Sequence, residues 1–394
     1  MKTLPRPVGG PLLTRPFLAL IALVAIAVAL VVWRFAAGLG PVTNLSDGYP
    51  WGLWIAFDVV AGTALACGGY AVALLAYVLN RGQYHPMVRP AILTSALGYT
   101  VAAVAIVIDV GRYWNIWKIP IFFWEWNLNS VLLEVALCVM AYVMVLWIEL
   151  SPAFLEHWAH SPRPALRRIS KVGRPVIERA LLWLIALGLL LPTMHQSSLG
   201  SVLLIASSKL HPLWHTPMLP LLFLVSCVAM GYAAVVFESS LASLFFGRPM
   251  EERMLAGLSK VMAGVLITFL VIRFGDLAYH GRLGLVFTAT TPSVLFLIEC
   301  VLFAVPAVLM LFSRARTNPG MRFQGAMMMM LAGIMYRFDV YIFGFNPGAG
   351  WSYFPSVAEM LITVGIVAAE VAAYIVIVKK LPILSIPAGD TARA

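Results

Sequence analysis

Charge is scarce in this 394-residue chain. Asp, Glu, Lys and Arg make up 11% of it, against 61% hydrophobic residues and a mean hydropathy of +0.91. A soluble domain carries about 25% charged residues, so this composition leaves no room for a separate soluble domain. Cysteine is rarer still. Cys67, Cys138, Cys227 and Cys300 each stand alone in an apolar run, with no Cys-x-x-Cys pair, which excludes the spacings of zinc and iron–sulfur sites. Buried structural thiols are the ordinary reading. Histidine is also sparse: His85, His157, His160, His211 and His215 fall in loops, His280 just beyond a span and His195 near a span end. A membrane b-type haem is held by two histidines facing each other from different helices. The pattern therefore predicts a chain that binds no haem, no iron–sulfur cluster and no other metal. A Gly-rich nucleotide loop is missing as well.

What is present is apolar sequence in bilayer lengths. A span needs about 20 apolar residues, and ten runs meet that ruler: 16–37, 54–79, 88–110, 127–149, 176–194, 217–246, 254–276, 289–313, 321–344 and 355–378. The sequence predicts an all-α integral membrane protein, a single polytopic domain over 1–394. Basic residues mark one side. The N-terminal arm carries Lys2, Arg6 and Arg15, and the alternate loops carry Arg81 and Arg89, Arg163 to Arg174, Arg248 and Arg253, and Arg314 to Arg322. The tail adds Lys379, Lys380 and Arg393. Both termini are expected in the cytoplasm of a bacterial inner membrane, and the net charge of +10 reads as this bias rather than a nucleic-acid patch. The first run resembles a signal peptide, but its length and Arg34 directly after it favour a retained helix.

Three pairs of words suggest duplication. Gly69-Tyr70-Ala71 recurs as Gly231-Tyr232-Ala233, Ile108-Asp-Val-Gly-Arg112 as Ile272-Arg-Phe-Gly-Asp276, and Ser-Val-Leu with a following Glu at 130–134 and 293–299, all 162–165 residues apart. A period of four helices implies parallel repeats over 51–196 and 217–344, giving two four-helix bundles plus flanking helices.

Acids lie inside these runs: Asp58, Asp109, Glu134, Glu238, Glu299 and Glu370. An acid at bilayer depth costs roughly 2.5–3.5 kcal/mol on insertion scales and turns towards the protein interior, so proton, ion or polar-ligand handling is expected. The fifth span ends in Leu191-Pro-Thr-Met-His195-Gln196-Ser-Ser198. Proline weakens a helix by removing a donor, and the following 199–206 is too short to span, so a broken helix and a re-entrant segment around a cleft are expected. The loops opposite the basic side are rich in Trp, Tyr, His and Asn. An aromatic belt at the headgroups and a structured docking surface both suit them.

The words Gly48-Tyr-Pro-Trp-Gly-Leu-Trp54-Ile-Ala-Phe-Asp58, Asn80-Arg-Gly-Gln-Tyr-His-Pro86, 108–115, 191–198 and Phe345-Asn-Pro-Gly-Ala-Gly350 closely resemble the NrfD-like family, in its branch of membrane subunits of quinone-linked nickel–iron hydrogenases. The resemblance runs from about residue 7 to 384. It implies a haem-free subunit with a menaquinone site near the periplasmic face. It also implies electrons passing through a periplasmic ferredoxin-like iron–sulfur subunit attached to the hydrogenase small and large subunits.

Quinone reduction takes two electrons and two protons, so its site needs hydrogen-bond donors and a proton route. Glu134, His195 and Tyr99 are the expected catalytic residues. Trp54, Asp58, Asp109, Arg112 and Gln196 are expected to bind the quinone, although Asp109 and Arg112 suit a structural ion pair equally. Arg273 with Asp276, and Arg337 with Asp339, read as structural pairs. Three alternatives remain: the membrane subunit of another NrfD-type oxidoreductase, an ion or proton transporter, and a pure anchor, which leaves the buried acids without a purpose. With proton translocation coupled to the quinone reaction, Glu134, Glu238, Glu299 and Glu370 form a path towards the cytoplasm.

Overall fold

The computed structural model describes residues 3–247 and 251–387. Lys2, Arg248 and Arg393, three of the basic residues used for orientation, lie outside the described residues. Among those described, ten helices are long and apolar enough to cross a membrane: α1 Arg15–Ala37, α2 Trp54–Val78, α3 Gly82–Asp109, α4 Val131–Ala159, α5 Pro164–Ile205, α6 Leu219–Phe246, α7 Glu252–Tyr279, α8 Thr291–Leu309, α9 Pro319–Phe343 and α10 Val357–Lys380. The chain is an all-α, multi-pass integral membrane protein.

Local chemistry sets several helix ends. Thr14 caps α1, whose second residue is Pro16, and Gly38 closes that helix with φ of 91°. Ser130 caps α4 and Asn318 caps α9. At α10 the Ser356 hydroxyl accepts from the Glu359 amide while the Glu359 carboxylate accepts from the Ser356 amide, a reciprocal capping box.

Both chain ends lie at one end of the helices. Strand β1 (Thr3–Arg6) pairs antiparallel with β2 (Leu384–Pro387), with Arg6 opposite Leu384. Beside this ribbon Arg89 binds both carboxylate oxygens of Glu156 at 2.9 Å and the Pro382 carbonyl. We call this the basic end. At the other, aromatic end, three loops are knitted together: Tyr49 donates to the Phe345 carbonyl, Trp51 to that of Tyr341, and the His211 amide to that of Gly344. Trp114, Trp117 and Trp124 project outward, 53–64% exposed, as belt residues do.

Helices α2 to α5 pack against one another, as do α6 to α9, while α1 and α10 pair along the outside. The groups meet where α6 crosses α2 and α5. At Gly231 an added Cβ would lie 2.5 Å from the Cys67 carbonyl oxygen, so only glycine permits the crossing.

Helix α5 departs from the expectation. It continues unbroken for 42 residues through Pro175 and Pro192, about 63 Å at 1.5 Å per residue. Residues 199–205 are its last turns, not a re-entrant segment. The polar residues after Pro192 bond back to the helix itself: Thr193 donates to Leu189, and Ser197 and Ser198 both donate to Met194. His195 accordingly lies ten residues inside the helix end, roughly 15 Å deep. Glu134 is shallower than its apolar surroundings suggest. It occupies the first turn of α4 and is half-buried.

The ion pairs expected within single helices are not formed, and their charged groups find other partners, several of them on neighbouring helices. Arg34 lies inside α1, 1% exposed, and donates to the Ile108 and Val110 carbonyls at the end of α3. It is therefore the nearby cation for Asp109, whereas Arg112 is exposed. Arg337 serves the Val60 and Gly333 carbonyls rather than Asp339. Asp276 pairs with His280 at 3.3 Å, and Arg273 lies between the rings of Phe296 and Tyr336.

Candidate functional site

The interior of the first helix group holds a closed polar network. Tyr99 of α3 and His195 of α5, both 0% exposed, are joined at 2.7 Å between the phenol oxygen and Nε2. The Nδ1 of His195 lies 2.7 Å from the Leu191 carbonyl, which only accepts. In a neutral ring Nδ1 then carries the hydrogen, so Nε2 accepts from Tyr99. The Tyr99 oxygen in turn lies 3.4 Å from Gln196 Nε2 and 3.2 Å from the Cys67 thiol. Gln196 also donates to Thr63 at 3.0 Å. Its own Oε1 is buried without a partner, a costly state in an apolar interior. Tyr142 of α4 presents its ring edge-on to Tyr99, centroids 4.6 Å apart. The arrangement is a phenol-to-imidazole hydrogen bond enclosed by Gln196, Cys67 and Tyr142.

A second set of polar groups follows α10. The Thr363 hydroxyl donates to Asp58, and Tyr374 and Thr94 both donate to Glu238, each at 2.7 Å. Glu370 lies between them, within electrostatic reach of both Glu238 and Asp58. It packs where Gly98 has no side chain; a Cβ there would be 3.2 Å from Glu370 Oε1. Thr363, Glu370 and Tyr374 are spaced by seven and four residues, which sets them on one helix face. The line descends from near the aromatic end at Asp58 to the basic half at Glu238. Trp54 donates to the Glu359 carbonyl at its upper end.

The structure thus brings Tyr99, His195 and Gln196 together. It sets Trp54 and Asp58 against α10, Asp109 beside Arg34 and Arg112 at the surface. Glu134 stands eight residues, two turns, above Tyr142 on α4. Glu299 belongs to neither set: it accepts from Trp214 at 2.8 Å in the second helix group, near Arg273 and Asp339. Sequence reasoning missed Thr63, Cys67, Tyr142 and Thr363. Only Cys67 carried a signal, its position inside a span, and that signal also fits a plain structural thiol.

At the aromatic end, burial holds the His211 and His215 imidazoles below their usual range, with the Arg282 charge adding to the effect at His215. Tyr353 is pushed up by burial and by its bond to Glu359.

A family model described as "Polysulphide reductase, NrfD" matches residues 41–347. The chain belongs to the NrfD family. It is 43% identical over 96% of its length to a protein of Escherichia coli K12 named as the probable Ni/Fe-hydrogenase 2 b-type cytochrome subunit, of which 95% is covered. It is 28% identical over 84% of its length to the integral membrane subunit of a menaquinone reductase from Nitratidesulfovibrio vulgaris, covering 83% of that protein. An integral membrane subunit of an Hdr-like menaquinol oxidoreductase from Archaeoglobus fulgidus is 22% identical over 85% of each chain.

The first of these relatives corrects the expectation of a haem-free chain. Its name makes it a b-type cytochrome, a class defined by haem. The histidines described here do not fit a pair of axial ligands as folded. His195, the fully buried one, has both ring nitrogens in hydrogen bonds, and no step is assigned to a haem. Among the described residues no group of three or more His, Cys, Asp and Glu side chains is arranged to hold a metal ion.

Proposed function

We propose that this NrfD-family chain is the quinone-reactive membrane subunit of a hydrogenase, passing electrons between a partner iron–sulfur protein and the menaquinone pool. The observation that carries this reading is the buried Tyr99–His195 pair, set in a chain similar along nearly its whole length to a hydrogenase-2 subunit. Reduction of one quinone takes up two electrons, delivered by the partner, and two protons. Tyr99 and His195 hold and pass a proton, Gln196 orients Tyr99, and Glu134 handles protons nearer the aromatic end. The line Asp58–Glu370–Glu238 is the path by which a proton crosses towards the basic end. On this reading the chain sits in the bacterial inner membrane, with both termini and the basic loops in the cytoplasm and the aromatic loops docking a periplasmic ferredoxin-like subunit and, through it, the small and large hydrogenase subunits. Residues 51–196 and 217–344 are parallel repeats meeting at the Gly231 crossing.

A second reading, the membrane subunit of another quinone-linked oxidoreductase, is favoured by the similarity to a menaquinone reductase subunit. One experiment separates them. Membranes carrying the whole complex are assayed for H2-dependent menaquinone reduction, native against Glu134→Gln, with artificial-dye reduction at the hydrogenase as the assembly control. Loss of quinone reduction with dye reduction intact supports the assignment of Glu134. Survival of both removes it, and native membranes without H2-dependent quinone reduction would sink the hydrogenase reading.

A further inference from the structure

A cavity of about 220 Å³ opens in the basic half of the first helix group, apart from the closed Tyr99–His195 network. Its floor is Tyr142, Tyr70 and Glu149, and its rim is Tyr77, His85 and Arg89. His85 and Tyr77 are exposed, and Arg89 is held by Glu156. Two polar groups face the cavity without a protein partner. Tyr142 is 1% exposed, and its hydroxyl makes no hydrogen bond among the described residues. The Glu149 carboxylate makes none either, and it packs closely over Gly188, where an added Cβ would lie 3.0 Å from Glu149 Oε1.

A buried phenol and a carboxylate without protein partners call for water. The volume far exceeds the roughly 10–15 Å³ that one water requires. Tyr142 is also the wall between this cavity and the buried pair, since its ring lies edge-on to Tyr99 at 4.6 Å and 6.0 Å from the His195 ring.

We propose that this cavity is a water-holding proton antechamber open to the basic side of the membrane, with Glu149 as the proton-carrying group beside Tyr142, the residue whose ring separates this water from Tyr99 and His195. The inference rests on the proposed function and adds to it the side from which protons are drawn. Each proton that Glu149 gives up is replaced by one from the basic side, so the step conserves charge and requires no oxidant. Glu149 is a positioning and relay group, distinct from the groups at the quinone.

The test uses the whole complex in vesicles of both orientations. Ala73, which lines the cavity, is replaced by cysteine, with Ile92→Cys as the second variant should the first not assemble. The native thiols are buried and set the background. A charged, membrane-impermeant thiol reagent is expected to label the new cysteine from the basic side and not from the other. Glu149→Gln is expected to slow proton uptake coupled to quinone reduction by on the order of tenfold or more, with dye reduction at the hydrogenase unchanged. Labelling from the aromatic side, labelling only by a lipophilic reagent, protection by a quinone analogue, or unchanged proton uptake in Glu149→Gln would each overturn the proposal. If native membranes reduce no quinone with H2, it is the proposed function that fails; the sidedness of labelling still decides the cavity.

Discussion

Tyr99 and His195, 96 residues apart on different helices, meet at 2.7 Å with no exposed surface. Because the Leu191 carbonyl occupies Nδ1, the phenol is the donor that Nε2 requires. Removing Tyr99 leaves Nε2 only the Gln196 amide at 3.3 Å, and removing His195 leaves the phenol with Gln196 and Cys67. Tyr99→Phe is expected to lower quinone reduction by on the order of a hundredfold, the scale of a lost proton-transfer group. It is also expected to cost about 1 kcal/mol of stability, the net worth of one hydrogen bond, since the Gln196 amide remains 3.3 Å from Nε2. Quinone and dye assays on one membrane preparation, with thermal unfolding of the purified complex, check both parts. Intact quinone reduction in Tyr99→Phe would remove the pair from the mechanism.

Arg34 joins α1 to the end of α3 through two carbonyls. Hydrogen bonds to a charged group are worth roughly 1.5–3 kcal/mol each, so Arg34→Met is expected to destabilise the fold by about 3 kcal/mol. Arg112→Met, at an exposed position, is expected to be within about 0.5 kcal/mol of native. Thermal unfolding in detergent compares the two. The opposite order would mean that Arg112, not Arg34, closes α3.

The α2–α6 crossing tolerates no side chain at 231, where a Cβ would meet the Cys67 carbonyl at 2.5 Å. At Gly264 nothing lies within 4 Å of an added Cβ. Gly231→Ala is expected to abolish or sharply reduce the yield of folded protein. Gly264→Ala is expected to be neutral, or stabilising by up to about 1 kcal/mol from helix propensity. Fluorescence size-exclusion profiles distinguish them, and a normal profile for Gly231→Ala would show that the helices move apart at little cost.

Acidification should loosen the aromatic end. His211 and His215 titrate below the 6.5 of a free imidazole because burial disfavours their charged form. Below that value the unfolded loop binds more protons than the folded one, so stability falls as pH falls through 6.5 towards the lower folded values. The protection factors of the amides across 209–218, which remove the intrinsic pH dependence of exchange, are expected to fall from about pH 7.5 to about pH 5.5, and less so in His211→Asn. Protection factors that are independent of pH over this window would show that these rings do not hold the loops.

Much of the site was legible in outline and little in connection. Tyr99, His195 and Gln196 stood out as polar residues in apolar runs, since a bilayer makes such residues conspicuous. Tyr142 did not, because a lone tyrosine in a span is commonplace. Arg34 was taken for a charge following its helix, and nothing in a single chain shows that α1 lies against the end of α3. Pro192 was read as a break because local chemistry favours one; the serines and threonine that bond back to the helix, and the neighbours that hold it, carry α5 through. The pairing of Arg273 with Asp276 failed for a related reason. Residues three apart on a helix are neighbours, but a buried guanidinium takes whatever rings and acids the adjacent helices present.

By itself the sequence determined the membrane class, the ten spans and the shared side of the two ends. Those follow from apolar length and from the distribution of charge, properties summed along the chain. Tertiary structure alone decided which polar groups are partners: Tyr99 with His195, Thr363 with Asp58, Tyr374 with Glu238, and Glu149 with the space left at Gly188. The physical reason is that lipid obliges each buried polar group to find a partner within the protein or its enclosed water. The helix that supplies the partner is set by packing across the bundle, which no local stretch of sequence encodes.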